Sequence, residues 1–237
     1  MKKWNLMSKT IAVTVVAILV FSCGKEDNTP PVVEDEDDEE LVDPVGTVYF
    51  EENFDKMIWG GDYLGQKVGV KGDFKRDANN QYIIDEDKPI AECAINTDGC
   101  PDFFAAVSPV YIKQRGLEGW DGNKVYERPG YLKCGTASAK DTYITTPALE
   151  GINEDRVKLN VSMDLAIWGE SYETFHIEVL NGGIPSVSQL QVSTTRDWTK
   201  KEFTVSNATK NTKISISVDP IEGGRFFLGN VKITKAE

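Results

Sequence analysis

Few residues in this chain are equipped for chemistry. Among 237 residues there is one histidine, His176, and there are four cysteines, Cys23, Cys93, Cys100 and Cys134. A single histidine excludes multi-histidine metal centres, and three cysteines with one distant histidine match no common zinc spacing. There is no Gly-x-Ser-x-Gly elbow and no phosphate-cradling glycine loop. His176 shares the polar face of a strand-like segment with Glu178, but without a nucleophile motif that pair reads as solvated. A carboxylate pair for glycoside hydrolysis can come from anywhere in a fold, and nothing selects one here. The expectation is a chain that is not an enzyme.

What remains is a set of aromatic rings in glycine-rich surroundings. Trp59 and Tyr63 lie in Trp59-Gly60-Gly61-Asp62-Tyr63. Trp120 stands between Gly119 and Asp121-Gly122, and Trp168-Gly169-Glu170-Ser171-Tyr172 joins two strong strand patterns. Flat apolar rings stack on the C–H faces of sugars while polar groups at the rim read the hydroxyls. Trp59, Tyr63, Trp120, Trp168 and Tyr172 are therefore the expected ligand-binding residues. The competing role for each ring is packing at the ends of the core, because tryptophan is usually largely buried. Trp198, at a strand opening, reads as structural.

These rings need elements to position them, and the elements read as β. Val157, Leu159, Val161, Met163, Leu165 and Ile167 alternate with polar or small partners over twelve residues, the period of a strand with one buried face. Phe175, Ile177 and Val179 repeat the pattern before a turn at Asn181-Gly182-Gly183. Phe203 and Val205, then Ile214, Ile216 and Val218, then Arg225 to Ile233, continue it. Tyr49-Phe50, Tyr82-Ile83-Ile84, Tyr131 to Cys134 and Tyr143-Ile144-Thr145 supply shorter strands. No segment sustains a 3.6-residue apolar period. Many short strands at intervals of roughly ten residues predict an all-β protein, an antiparallel β-sandwich or jelly roll. Residues 53–135 are less regular and read as long loops laid over one domain.

The N-terminus reads as an address. Met1-Lys2-Lys3 precedes an apolar run from Ile11 to Phe21, broken by Thr14. That is too short to span about 30 Å of hydrocarbon and fits a signal-peptide core. The run ends Val20-Phe21-Ser22-Cys23, which resembles the lipobox of bacterial lipoproteins, with a bulkier Phe21 than that motif usually has. The resemblance implies a cleaved signal over 1–22 and lipidation, including palmitate, at Cys23. Gly24-Lys25-Glu26-Asp27 resembles the surface-export signal of Bacteroidota lipoproteins, which implies an outer-membrane, outward-facing protein anchored by several acyl chains.

The charge is concentrated behind that cysteine. The whole chain carries −12, residues 25–44 carry −9 and residues 1–24 carry +3, which leaves −6 for residues 45–237. A tract such as Glu34 to Glu40 repels itself and buries nothing, so 23–44 reads as an extended linker, with 45–237 as the folded domain. The acidic balance argues against nucleic acid as a partner. With Cys23 modified, three cysteines remain: one disulfide plus one buried thiol, or no disulfide. Cys93 and Cys100 flank a short loop and are the expected pair, with Cys134 as a core thiol.

Beyond periodicity, Tyr49-Phe50-Glu51-Glu52-Asn53-Phe54 resembles the first strand of galactose-binding-like jelly-roll modules. Gly130 to Lys133, Tyr143 to Leu149, Asp197 to Val205 and Arg225 to Ile233 are similar to later strands of that family. The resemblance covers about residues 47–235 and implies carbohydrate binding. Family members often hold a structural Ca²⁺ between first and last strands. Here Gly229 stands where an acid is usual, leaving Glu52 and Asn230 as the implied oxygen ligands. The expected function is non-catalytic glycan binding at the cell surface. The alternatives are a protein-interaction module of a surface lipoprotein complex and a glycoside hydrolase with an unrecognised carboxylate pair.

Overall fold

Alternation along the sequence becomes two-sidedness in space. The computed structural model describes residues 42–57, 64, 73–85, 101–136, 138, 141–168, 173–193, 196–218 and 224–237. The signal segment, Cys23, the acidic tract Glu34 to Glu40 and the expected Cys93–Cys100 pair lie outside the described residues.

In chain order the elements are β1 (Val48–Glu52), β2 (Asp73–Arg76), β3 (Tyr82–Asp85), α1 (Phe103–Ala106), α2 (Pro109–Gln114), β4 (Asp121–Asn123), β5 (Val125–Arg128) and β6 (Tyr131–Cys134). There follow β7 (Tyr143–Thr145), β8 (Val157–Ile167), β9 (Glu173–Leu180), β10 (Ile184–Pro185), β11 (Gln189–Val192), β12 (Thr199–Ala208), β13 (Lys213–Val218) and β14 (Phe226–Lys235). One sheet has seven strands in the order β10-β12-β8-β14-β6-β5, with β1 also paired to β14. The second has five, β11-β9-β13-β7-β4, and β2 and β3 form a separate hairpin. The named strand pairs are antiparallel. This is the expected antiparallel sandwich.

The core lies between the sheets. Leu159, Val161, Met163 and Leu165 of β8 meet Ile144 of β7, Phe175 and Ile177 of β9, and Ile214 and Ile216 of β13. The rings of Phe175 and Phe226 cross from sheet to sheet edge-to-face, 5.1 Å between centroids. Each such side chain, once buried, contributes about 1.5–3 kcal/mol. Cys134 is a buried free thiol, as expected, and burial pushes its pKa up. The Asn181-Gly182-Gly183 turn does not close a hairpin within one sheet; it carries the chain from β9 across to β10 on the other sheet. Gly183 sits where the two layers meet: a Cβ there would lie 2.8 Å from Val205 Cγ1 and 3.0 Å from Val179 Cγ1, with φ at +110°.

β14 organises the seven-stranded sheet. Along one edge it pairs with β8; along the other, Phe226–Leu228 pairs with β6 and Val231–Thr234 with β1. Between those two partners the register with β8 slips by one residue, from Gly229↔Asp164 to Lys232↔Ser162. This bulge keeps the core pattern in phase. Phe226, Leu228, Val231 and Ile233 all face inward, a spacing of two, three and two that strict alternation would break.

Residues 101–120, expected to be loop, contain two short helices. At four and six residues they are too short to print an apolar period on the sequence. α2 is started by Pro109 and by the Ser108 hydroxyl, which accepts from the Tyr111 N–H at 3.4 Å. The body also takes in Asp43, ahead of the expected boundary at 45. Its carboxylate accepts from Tyr49 Oη at 2.9 Å and Asn153 Nδ2 at 3.0 Å, and Lys235 Nζ donates to its carbonyl and to Glu154.

Candidate functional site

The five rings expected to form one stacking surface do not do so among the described residues. Trp59, Tyr63 and Tyr172 lie outside them. Trp120 is a core residue, only 7% exposed. Its indole stands edge-on to Phe50 at 5.5 Å and packs against Phe54 at 5.8 Å. Glycines on either side suggested a loop platform, but the ring turns inward under β1, where no ligand reaches it. Trp168 is half-buried on the outer face of the seven-stranded sheet. It packs on Phe227 at 5.8 Å, the Arg225 guanidinium lies 4.5 Å from its ring centre, and the Lys133 ammonium lies 5.6 Å away. Two cations already use this ring. Trp120 and Trp168 therefore occupy different layers and share no platform.

Glu52 and Asn230 also part company. Glu52 is directly opposite Val231, a core residue, so its side chain starts on the inner face of β1. Its carboxylate accepts from the Phe54 N–H at 2.6 Å, and burial raises its pKa. Asn230, on the bulge at φ 41°, points outward and donates to Asp164 Oδ2 at 2.6 Å. The two expected calcium ligands thus face opposite sides of their sheet. Among the described residues no cluster of three or more His, Cys, Asp or Glu could hold a metal ion.

Among the described residues, one arrangement of polar groups suited to contacting a ligand lies on the outer face of the five-stranded sheet. There the strand registers align polar side chains in rows across the sheet. One row runs Asp121, Thr145, Ser215, Glu178, through β4, β7, β13 and β9. The next runs Asn123, Tyr143, Ser217, His176 and out to Gln189 on β11. Rows two residues apart stand about 6.8 Å from each other, and neighbours within a row about 4.8 Å. Period-two alternation produces this: with Ile144, Ile214, Ile216, Phe175 and Ile177 turned inward, their neighbours must turn outward.

The face is hydroxyl-rich and partly pre-bonded. Thr145 Oγ1 donates to Ser215 Oγ at 2.9 Å, and both side chains are buried, forming the floor of the face. Tyr143 Oη donates to Asp121 Oδ2 at 3.3 Å; burial first and the Asp121 carboxylate second raise the phenol pKa, so it stays a neutral donor. His176 Nδ1 is 3.4 Å from Gln189 Nε2. Lys213 and Leu180 form the row beyond Ser215 and Glu178. A depression of about 630 Å³ runs over Asp121, Tyr143, Thr145, Ser215, Ser217 and Glu178. It presents donors, acceptors and one aromatic ring on a rigid sheet, the set that orients a polyhydroxylated ligand.

The sequence carries a signal for this face that is separate from the loop rings. His176, Glu178, Ser215 and Ser217 stand out as the polar halves of alternating strands, but their adjacency requires β9, β13 and β7 to be neighbours. That order is a property of the topology alone.

No family model matches the chain, and no curated protein matches it. Solved structures do resemble it in part. The xylan-binding CBM22-1 domain of Xyn10C from Paenibacillus barcinonensis shares 12% identity at a TM-score of 0.39, covering 51% of this chain and 87% of its own. A CBM35 from Paenibacillus barcinonensis shares 19% identity at a TM-score of 0.36, covering 50% and 94%. The C-terminal CBM6 of LamC, a laminarinase of Zobellia galactanivorans, shares 18% identity at a TM-score of 0.34, covering 50% and 95%. The sandwich itself is defined by this chain's own strand pairing.

Proposed function

We propose that this chain binds a glycan on the outer face of the five-stranded sheet and performs no chemistry on it. The observation that carries the proposal is the row Tyr143–Ser217–His176: two rings two strands apart, about 9.6 Å, with a hydroxyl between them. Such a row sets a phenol and an imidazole on either side of a hydroxyl, with Tyr143 as the ring over the depression. The carboxylates at the ends of the adjacent row, Asp121 and Glu178, are three strand spacings apart, about 14 Å. Glycoside hydrolysis uses carboxyl groups about 5–10 Å apart. Ligand recognition suits that spacing better than bond cleavage does.

The same proposal places the domain outside the cell, held at the outer membrane by lipid on Cys23 and spaced from it by the acidic tract. The support is the sequence Val20-Phe21-Ser22-Cys23 and the −9 charge of residues 25–44.

Affinity electrophoresis against a panel of soluble polysaccharides tests the binding. At least one polysaccharide should retard the protein, and Tyr143→Ala should weaken binding about tenfold, near 1.4 kcal/mol. Absence of retardation, or retardation unchanged in Tyr143→Ala, overturns it. Release of reducing sugar from the same panel would favour a hydrolase. Cys23→Ser should move the protein from detergent to aqueous phase; persistence in the membrane fraction counts against the anchor.

A further inference from the structure

The opposite sheet carries an aromatic platform of its own. Trp198 sits just before β12 and is 38% exposed, unusual for so large a ring. A Cβ built on Gly229 would lie 3.3, 3.5 and 3.6 Å from Cη2, Cζ3 and Cζ2 of that indole. Near-equal distances to three adjacent ring atoms mean that the ring's face, not its edge, lies over Gly229. Tyr131 braces the indole from the side, 5.6 Å away and at 79°. One face of the indole therefore rests on the backbone of β14 and the other is turned outward.

From that ring a polar track follows the strands. Lys200 and Asp164 are paired across β12 and β8, then Glu202 and Ser162, then Thr204 and Asn160. Lys232 and Thr234 continue it on β14, over a depression of about 550 Å³. Trp198 to Glu202 is four residues, about 13 Å of strand. The lysines of this track are already neutralised by carboxylates, and Asp164 is hydrogen-bonded by a neutral amide. Lys200 Nζ meets Glu202 Oε1 at 2.6 Å, Lys232 Nζ meets Glu51 Oε1 at 3.2 Å, and Asp164 accepts from Asn230. A surface so neutralised holds no field to attract a polyanion.

We infer that the outer face of the seven-stranded sheet is a second carbohydrate site, which takes a neutral oligosaccharide with one sugar ring stacked on Trp198 and the following rings hydrogen-bonded along β8 and β12. An apolar C–H face answers the outward indole, and hydroxyls answer a track of hydroxyl, amide and paired ionic groups. This site is independent of the Tyr143 row, which lies on the other sheet.

Full-length protein in detergent, labelled with 5-fluorotryptophan, tests it by ¹⁹F NMR, with the Trp198 resonance assigned by its loss in Trp198→Phe. The probes are neutral xylo-, cello-, laminari- and manno-oligosaccharides, with oligogalacturonate as the anionic control. The Trp198 resonance should shift saturably with at least one neutral series, not with the control, and equally in Tyr143→Ala. In the Tyr143→Ala background, calorimetric titration with the responding oligosaccharide should show binding weakened about tenfold by Trp198→Ala, and Ser162→Trp, which fills the track and leaves the platform, should abolish the Trp198 shift. A Trp198 resonance unmoved by the whole panel overturns the inference whatever the Tyr143 row binds. A shift lost in Tyr143→Ala, or one produced only by a co-purifying membrane protein, overturns it as well. The reading of the Tyr143 row fails separately, if Tyr143→Ala leaves total glycan retention unchanged.

Discussion

The phenol of Tyr111 donates to Glu127 Oε2 at 2.8 Å, and both side chains are shut off from water. Arg115 Nε completes the group, 3.0 Å from Glu127 Oε1 and 2.6 Å from the Tyr111 oxygen. The triad fastens α2 to β5. Burial and then the Glu127 charge hold the Tyr111 proton in place. A buried ionic group is costly to break by halves, because the survivor keeps its charge without a partner. Glu127→Ala should therefore cost about 3–5 kcal/mol, a fall in Tm of roughly 10 °C for a domain of this size. Calorimetry checks it; a fall of only a degree or two would show that α2 is held by apolar contacts alone.

Trp120 allows a sharper separation of core from ligand roles. Its Nε1 is buried with no hydrogen-bond partner among the described residues, a standing cost of about 1–3 kcal/mol. Trp120→Ala should lose about 3–5 kcal/mol through the cavity it leaves. Trp120→Phe removes the unsatisfied N–H along with some volume and should lose less than about 1.5 kcal/mol. Urea unfolding measures both. Glycan binding by Trp120→Phe should equal that of the unaltered protein; a selective loss of binding would return Trp120 to the ligand surface.

Glu52 sets a pH dependence with a definite sign. Burial raises its carboxyl pKa; the Phe54 N–H and the Lys56 charge oppose the rise, and the Asp55 charge adds to it. The folded form therefore binds this proton more tightly than the unfolded form does. Its contribution is most favourable below the unfolded pKa and is lost as pH rises through the folded value. Glu52→Gln keeps an oxygen for the Phe54 N–H but has no charge to bury. It should match the unaltered protein near pH 4 and exceed it in stability at pH 7. A stability difference that does not vary with pH would mean that Glu52 is not desolvated. The same pair of proteins reports on calcium: a Ca²⁺-dependent rise in Tm that Glu52→Gln abolishes would identify Glu52 as a ligand.

Gly229 is small because Trp198 lies on it. Gly229→Ala places a methyl 3.3 Å from an indole free to lift slightly, and should change stability by less than about 1 kcal/mol. Gly229→Val has no such room and should cost about 1–3 kcal/mol by overpacking, with a red shift in tryptophan emission as the ring swings into water. Equal stability and emission for the valine variant would mean that the indole does not rest on β14.

Much of the architecture is legible in the sequence. Strict period two at Val157–Ile167, Phe175–Val179 and Ile214–Val218 requires strands with one buried face, because the pleat sends successive side chains to opposite sides. The same rule identified which residues of those strands face away from the core. Cys134 could be read as a core thiol from an apolar strand context. Short elements escaped: α1, α2, β2, β4, β5, β10 and β11 are six residues or fewer, too brief for a periodic signal to rise above chance.

What the linear pattern could not supply is adjacency. Tyr143 and His176 are 33 positions apart, and only the order β9-β13-β7 sets them in one row with Ser217. Trp120 and Trp198 have similarly polar, turn-like neighbours, yet one ring lies in the core and the other lies open on β14. That choice depends on which neighbouring surface each ring meets once the sheets close, a long-range contact that no local spacing encodes. The bulge at Gly229–Asn230 is of the same kind: it exists because β14 must serve β6 and β1 along one edge while keeping Val231 and Ile233 in the core. Local alternation determined that this chain makes half-buried strands; the pairing of distant strands decided which of their outward residues stand together.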